Sequence, residues 1–111
     1  MKLLDYYKKA VTLTKQRNDT ELILLGDAPN ELFFINLALC DLNEDPSDNV
    51  LEERKLTRLK ANALPYGIAY YLSVHNSDFE KSRFFSSIYT AKRNTALSEI
   101  SKIKNIFNYR G

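Results

Sequence analysis

The sequence predicts a single all-α domain over residues 1–111, with four or five helices packed as a roughly antiparallel bundle. Glycine and proline occur only three times each, whereas a chain of many strands needs frequent turn residues. Leucine is abundant, while valine, which favours strands, stands only at positions 11, 50 and 74. The apolar residues of segment 79–108 also recur at steps of three and four, the period of a helix. The alternative is an α+β domain with short strands near 22–25, 32–39 and 67–75.

The first predicted element is an amphipathic helix over 2–17. Its basic side chains fall outside the apolar stripe, and several lie near its end, where the helix dipole favours them. The inward face holds Leu3, Leu4, Tyr7, Val11 and Thr14. Residues 20–25 follow, and their short apolar run is compatible with a helical turn or a strand. Residues 26–30 contain glycine and proline and are predicted to form a loop.

The middle of the chain is predicted to contain the buried centre of the bundle. Residues 31–42 are apolar on nearly every side, which is typical of a helix surrounded by other elements. A loop around Pro46 follows, and a helix is predicted over 50–64 with Lys60 directed outward. Pro65 is expected to break or restart that helix. Residues 66–75 alternate like a strand, but a mostly buried helix is the favoured interpretation.

The last element is predicted to be one long helix over 79–108. Ser77 and Glu80 have the spacing of a capping box, in which the serine accepts a backbone N–H and the glutamate bonds back to the cap. The inward positions share about one third of the helix circumference. They are Phe85, Ile88, Tyr89, Ala96, Ile100, Ile103, Ile106 and Phe107.

Charge is separated along the chain although the net charge is only +2. Residues 18–53 hold ten carboxylates and no lysine or arginine, whereas 1–17 and 54–111 are both basic. The three segments carry charges of +4, −10 and +8 in chain order. Such a distribution decides which surfaces attract each other, within one molecule or between molecules.

Residues 41–52 place oxygen ligands at the spacing of a calcium-binding EF-hand loop. Pro46, however, occupies the position where that loop turns with positive φ and requires glycine. Asp48 occupies a position that is apolar in paired EF-hand loops. We therefore predict an acidic loop between helices and no metal site, and no cofactor is expected elsewhere.

The sequence predicts no catalytic residue. Cys40 is the single cysteine, and it lies in the most apolar stretch, where a thiol is usually an inert small hydrophobe. His75 is the single histidine, and its neighbours Ser77 and Asp78 are better explained by a helix cap than by a hydrolase triad. Three isolated glycines cannot form a phosphate-binding loop.

These observations favour a non-enzymatic regulator, inhibitor, adaptor or immunity-type protein of the cytoplasm, acting through contacts with a partner protein. The N-terminus lacks the apolar region of a secretory signal, and no segment approaches the length of a membrane span. The candidate partner surface combines residues of both signs: Asp41, Glu44, Asp45, Asp48, Glu52, Glu53, Arg83, Arg93, Lys102 and Lys104.

Two alternative functions follow from the same residues. The first is a nucleic-acid-associated factor that binds phosphates through the basic residues of the last helix. The second is a small enzyme that uses carboxylates for acid–base chemistry. The opposite charges also leave a homodimer open, since they could pair two copies.

Overall fold

Four α-helices make up the described part of the chain. The computed structural model describes residues 1–14 and 28–110, with side chains for 1–14 and 31–98. The helices are α1 (Leu3–Thr14), α2 (Ala28–Asp41), α3 (Arg58–His75) and α4 (Phe79–Arg110). The described residues contain no strand, so the all-α prediction is confirmed and the α+β alternative is wrong for 32–39 and 67–75. The predictions for residues 15–27 lie outside the described residues.

The first turn of helix α1 is hydrogen-bonded to a segment from the middle of the chain. The backbone N–H groups of Leu3 and Leu4 donate to the carbonyls of Glu52 and Val50, at 2.9 and 2.8 Å. The first N–H groups of a helix have no partner within the helix, so this segment caps α1. The helix predicted over 50–64 is therefore wrong in its first half: residues 50–57 are not helical, and the carbonyls of Val50 and Glu52 accept N–H groups of α1 instead.

Helix α3 is the centre of the bundle, since it packs against each of the other three helices. The prediction that 31–42 would be central is wrong. Gly67 explains part of the difference, because a side chain there would lie 2.6 Å from the ring of Tyr89 on α4. Without a side chain at this position, the two helices approach closely.

Pro65 lies inside α3 and does not end it. A proline in a helix interior lacks an N–H donor and crowds the carbonyl four residues earlier, at a cost of about 3 kcal/mol. Apolar side chains on both sides of Pro65 are fully buried, and their packing offsets that cost. They are Ala63, Leu64, Ile68 and Ala69.

The turn between α3 and α4 is a Schellman motif followed at once by a helix cap. The N–H groups of Ser77 and Asp78 donate to the carbonyls of Val74 and Ser73, and Ser77 has a φ of 57°. The Asp78 carboxylate then accepts the Lys81 N–H at 3.1 Å. The predicted capping box is therefore displaced: Asp78 is the cap, because Ser77 ends the preceding helix.

Helix α2 ends in the same way, with Asn43 at a φ of 59°. The Asn43 and Glu44 N–H groups donate to the carbonyls of Cys40 and Leu39, at 3.1 and 2.9 Å. Asn36 then fixes the following loop, because its amide both donates to and accepts from the Ser47 backbone, at 2.8 Å each. The helix begins at Ala28, which is earlier than the sequence predicted, because Pro29 is compatible with a first helical turn.

Helix α4 confirms the long helix predicted from 79, with Phe85, Tyr89 and Ala96 buried against the bundle. Its 32 residues span roughly 48 Å at ~1.5 Å per residue, which accounts for most of the 55 Å long axis. Among the described residues, no helix combines the length and the apolar character needed to cross a bilayer.

Candidate contact surfaces

The carboxylate of Asp41 joins three helices. It accepts hydrogen bonds from the hydroxyls of Tyr71 on α3 and Tyr89 on α4, the latter at 3.0 Å. Burial raises the pKa of both tyrosines, and the negative charge of Asp41 raises it further. Both hydroxyls are therefore protonated at neutral pH and act as donors. Arg93 adds a bond from Nε to the Asp41 carbonyl at 3.3 Å, at the end of α2 where carbonyls lack partners.

A second network holds the acidic loop against α3. Lys60 is 6% exposed and donates to Glu44 at 2.7 Å, so the prediction that it points outward is wrong. Arg54 lies 3.6 Å from Glu44 and donates to Glu52 at 2.5 Å. This hydrogen bond lowers the pKa of Glu52 and raises that of Arg54. Lysine is rarely buried without a partner, and Glu44 is that partner here.

Four of the eight predicted partner-surface residues whose side chains are described are thus only partly exposed and make bonds within the chain. Asp41 and Arg93 contact each other, and Glu44 and Glu52 bind Arg54. These contacts join residues from oppositely charged segments, which the sequence could not pair.

The remaining predicted surface residues are more accessible. Asp45, Asp48 and Arg83 are exposed. Glu53 is also exposed and lies 3.3 Å from the N-terminal amine. Lys102 and Lys104 fall on α4 beyond the residues whose side chains are described.

An aromatic patch, defined here as Phe33, Phe34, Val74 and His75, lies where α2 and α3 meet. The ring centroids of Phe33 and Phe34 are 5.5 Å apart, and those of Phe34 and His75 are 5.3 Å apart. Phe33 is 58% exposed, and both Val74 and His75 are exposed as well. Phe79, 68% exposed, opens α4 directly after the turn that follows His75.

Sequence reasoning missed this patch because it treated α2 as buried on every side. The buried residues of α2 in fact follow helical spacing: Glu31, Phe34, Ile35, Ala38, Leu39 and, just past the helix, Leu42. Phe33 and Cys40 are seven positions apart and share the opposite, exposed side. That separation was a usable signal in the sequence.

A groove of about 470 Å³ lies between α1 and α3. Its lining residues are Lys8, Lys9, Thr12, Leu13, Ala61, Asn62, Pro65 and Tyr66. Lys92 on α4 is not part of this lining, but its Nζ is 5.0 Å from the centre of the Tyr66 ring. The sequence predictions assigned no role to these lysines.

The described residues do not bring together any three His, Cys, Asp or Glu side chains as metal ligands. Comparisons of the chain with protein-family models, with curated proteins and with solved structures yield no match. Functional inference therefore rests on the surfaces described above.

Proposed function

We propose that this protein is a small non-enzymatic binding protein of the cytoplasm that acts by contacting a partner protein through the aromatic patch. The observation that carries the proposal is the exposure of Phe33, whose ring packs edge-on against the buried Phe34, and Phe34 in turn contacts the exposed His75. A phenylalanine left in water forgoes roughly 1.5–3 kcal/mol of burial free energy. Exposed apolar and aromatic side chains clustered in one place are typical of protein contact surfaces.

The polar network around Asp41 supports the same proposal. Its carboxylate accepts hydrogen bonds from the hydroxyls of Tyr71 and Tyr89, which joins three helices. These bonds stabilise the packing of α2 on α3 and α4, and so they hold Phe34 beside His75. The role of this network is to position the patch rather than to react.

The exposed charges would steer the encounter. Asp45 and Asp48 lie on the loop after α2, and Arg83 lies on α4. Exposed charges of this kind mainly change association rates, whereas buried aromatic anchors supply most of the affinity.

The test is site-specific photocrosslinking in cells of the native host. A photoreactive phenylalanine analogue replaces Phe33 in one variant and Lys55 in the control, since Lys55 is exposed and precedes the opposite end of α3. We expect one discrete adduct from position 33 and none from position 55, and a stoichiometric complex of the purified partners by light scattering. Phe33→Ala should weaken that complex about 30-fold, the effect of losing ~2 kcal/mol.

Two results would contradict the proposal. One is the same set of adducts, or none, from both positions. The other is a catalytic activity of the purified protein that Asp41→Asn abolishes and Phe33→Ala leaves intact.

A further inference from the structure

We infer that the groove between α1 and α3 binds an acidic segment of a partner protein, with an apolar side chain inserted between flanking carboxylates. The groove and the aromatic patch share no residue. The inference rests on the proposed function only in choosing a protein as the ligand.

The shape of the groove follows from helical spacing on α1. Lys8 and Thr12 are four residues apart, as are Lys9 and Leu13, so each pair lies on one side of the helix, one turn apart. The facing wall is the first half of α3, with Ala61, Pro65 and Tyr66. At about 470 Å³, the groove lies within the size range of ligand-binding clefts and can accept a large aliphatic or aromatic side chain.

The floor of the groove is apolar. Leu13 is 39% exposed on α1, whereas Pro65 on the facing wall is buried. An apolar side chain placed there would remove the Leu13 surface from water, which favours binding in proportion to the area covered.

The rim of the groove is positively charged. Lys8 and Lys9 are exposed lining residues on α1, and Lys92 lies outside the lining, over the Tyr66 ring. Within the described part of the chain, no carboxylate lies within ion-pair distance of any of the three. Carboxylates flanking an apolar anchor would therefore complement the groove in both charge and polarity.

The same features disfavour a nucleic acid as the ligand. Single-stranded nucleic acids bind where bases stack on exposed aromatic faces. Tyr66 is the aromatic side chain that lines the groove, and Lys92 lies over its ring. The rest of the floor is aliphatic, which suits a peptide side chain better than a base.

A second copy of the chain is also a poorer fit. Two carboxylates of the acidic loop are already paired within the chain, since Glu44 binds Lys60 and Arg54, and Glu52 binds Arg54. Asp45 and Asp48 flank Pro46 and Ser47, which provide no large apolar anchor. Leu51 is 55% exposed, but the carboxylates that follow it are already paired, since Glu52 binds Arg54 and Glu53 lies 3.3 Å from the N-terminal amine.

The experiment selects ligands from a displayed library of random peptides on the purified full-length protein. We expect enriched peptides to carry Asp or Glu on both sides of a Leu, Ile or Phe. A labelled copy of the enriched peptide is then titrated by fluorescence anisotropy. The double variant Lys8→Glu and Lys9→Glu should bind it at least ~10-fold more weakly, and the control Lys55→Glu should bind within about twofold of the wild type.

Several outcomes would overturn the inference. They are enriched peptides without an acidic excess, equal binding by the double variant, and displacement of the peptide by a single-stranded oligonucleotide at lower concentration. A self-association that the double variant abolishes would instead assign the groove to a second copy. Circular dichroism must show the same helicity in all variants. Because this test uses purified protein and groove variants, it can fail while crosslinking at position 33 succeeds, and the reverse.

Discussion

Replacing Gly67 with alanine should destabilise the protein, although alanine is the better helix former. At an ordinary interior position of a helix, Gly→Ala stabilises by roughly 0.5–1 kcal/mol. At Gly67, the new Cβ would lie 2.6 Å from two ring carbons of Tyr89, where ordinary contacts are 3.4–4 Å. The ring would have to retreat by about 1 Å.

That movement is difficult because Tyr89 is held on all sides. It is 5% exposed, and its hydroxyl donates to Asp41 at 3.0 Å. Overpacking of this kind costs about 1–3 kcal/mol, and a weakened hydrogen bond to a carboxylate adds to it. After subtracting the gain in helix propensity, we expect a net loss of about 1–2 kcal/mol. In a chain of this size, that lowers the melting temperature by about 5–10 °C.

Gly67→Ala is introduced both into the wild type and into the Tyr89→Leu variant. The free energy of unfolding of each protein is then measured by thermal and urea unfolding, followed by circular dichroism. The leucine removes the ring atoms that meet the new Cβ, so Gly67→Ala should be neutral or stabilising in that background. The difference between the two backgrounds is the coupling energy of the pair, expected to exceed ~1 kcal/mol. A stabilising Gly67→Ala in wild type, or a coupling near zero, would refute the packing of α3 on α4 described here.

Three further predictions concern the turn, the buried ion pair and alkaline pH. Ser77→Gly should raise the free energy of unfolding by about 0.5–1 kcal/mol, because glycine adopts positive φ without strain; a lower melting temperature would contradict the left-handed turn. Glu44→Ala should cost about 1–3 kcal/mol by urea unfolding because it strands Lys60, whereas Lys60→Met should cost less; equal losses would argue against a buried pair. The pKa values of Tyr71 and Tyr89 are raised in the folded protein, so the unfolded chain loses these protons first as pH rises. The stability that the two protonated hydroxyls contribute is therefore complete below the unfolded pKa of 10.0 and is lost as pH rises above it. Stability should therefore fall by up to about 2.7 kcal/mol per pH unit above that value, and the double phenylalanine variant should show a shallower fall in urea titrations.

Local periodicity predicted most of the helical content, and particular residues show where it was sufficient. Leu3, Tyr7 and Val11 are buried on α1 as their spacing predicted. Phe85 and Tyr89 are buried on α4, which begins at the predicted residue. Spacing suffices in these cases because an amphipathic helix has only one apolar face to bury.

Predictions from local sequence failed where contacts with distant segments determined the backbone conformation. Residues 50–57 have a helical pattern, but the carbonyls of Val50 and Glu52 are used to cap α1. Pro65 has the signature of a helix break, but the buried side chains around it keep α3 continuous. Both outcomes depend on contacts between residues far apart in the sequence, and propensity scales do not contain that information.

The candidate surfaces were predicted less well than the helices. The sequence suggested a partner surface of charged residues, but it could not tell that Asp41, Glu44 and Arg93 bond within the chain. Phe33 was assigned to the core, although it is exposed. A side chain's neighbours depend on how helices are oriented about one another, which composition does not specify.

The sequence by itself determined the helical class, the long last helix and the separation of acidic from basic segments, because these are properties of composition and local spacing. The tertiary structure decided which helix is central, which charges are neutralised internally, and which apolar and cationic groups remain at the surface. The physical reason is that both burial and ion pairing require two segments to meet. Gly67 lets α4 approach α3 closely, α3 also packs against α1 and α2, and the side chains left exposed by this packing are the candidates for binding.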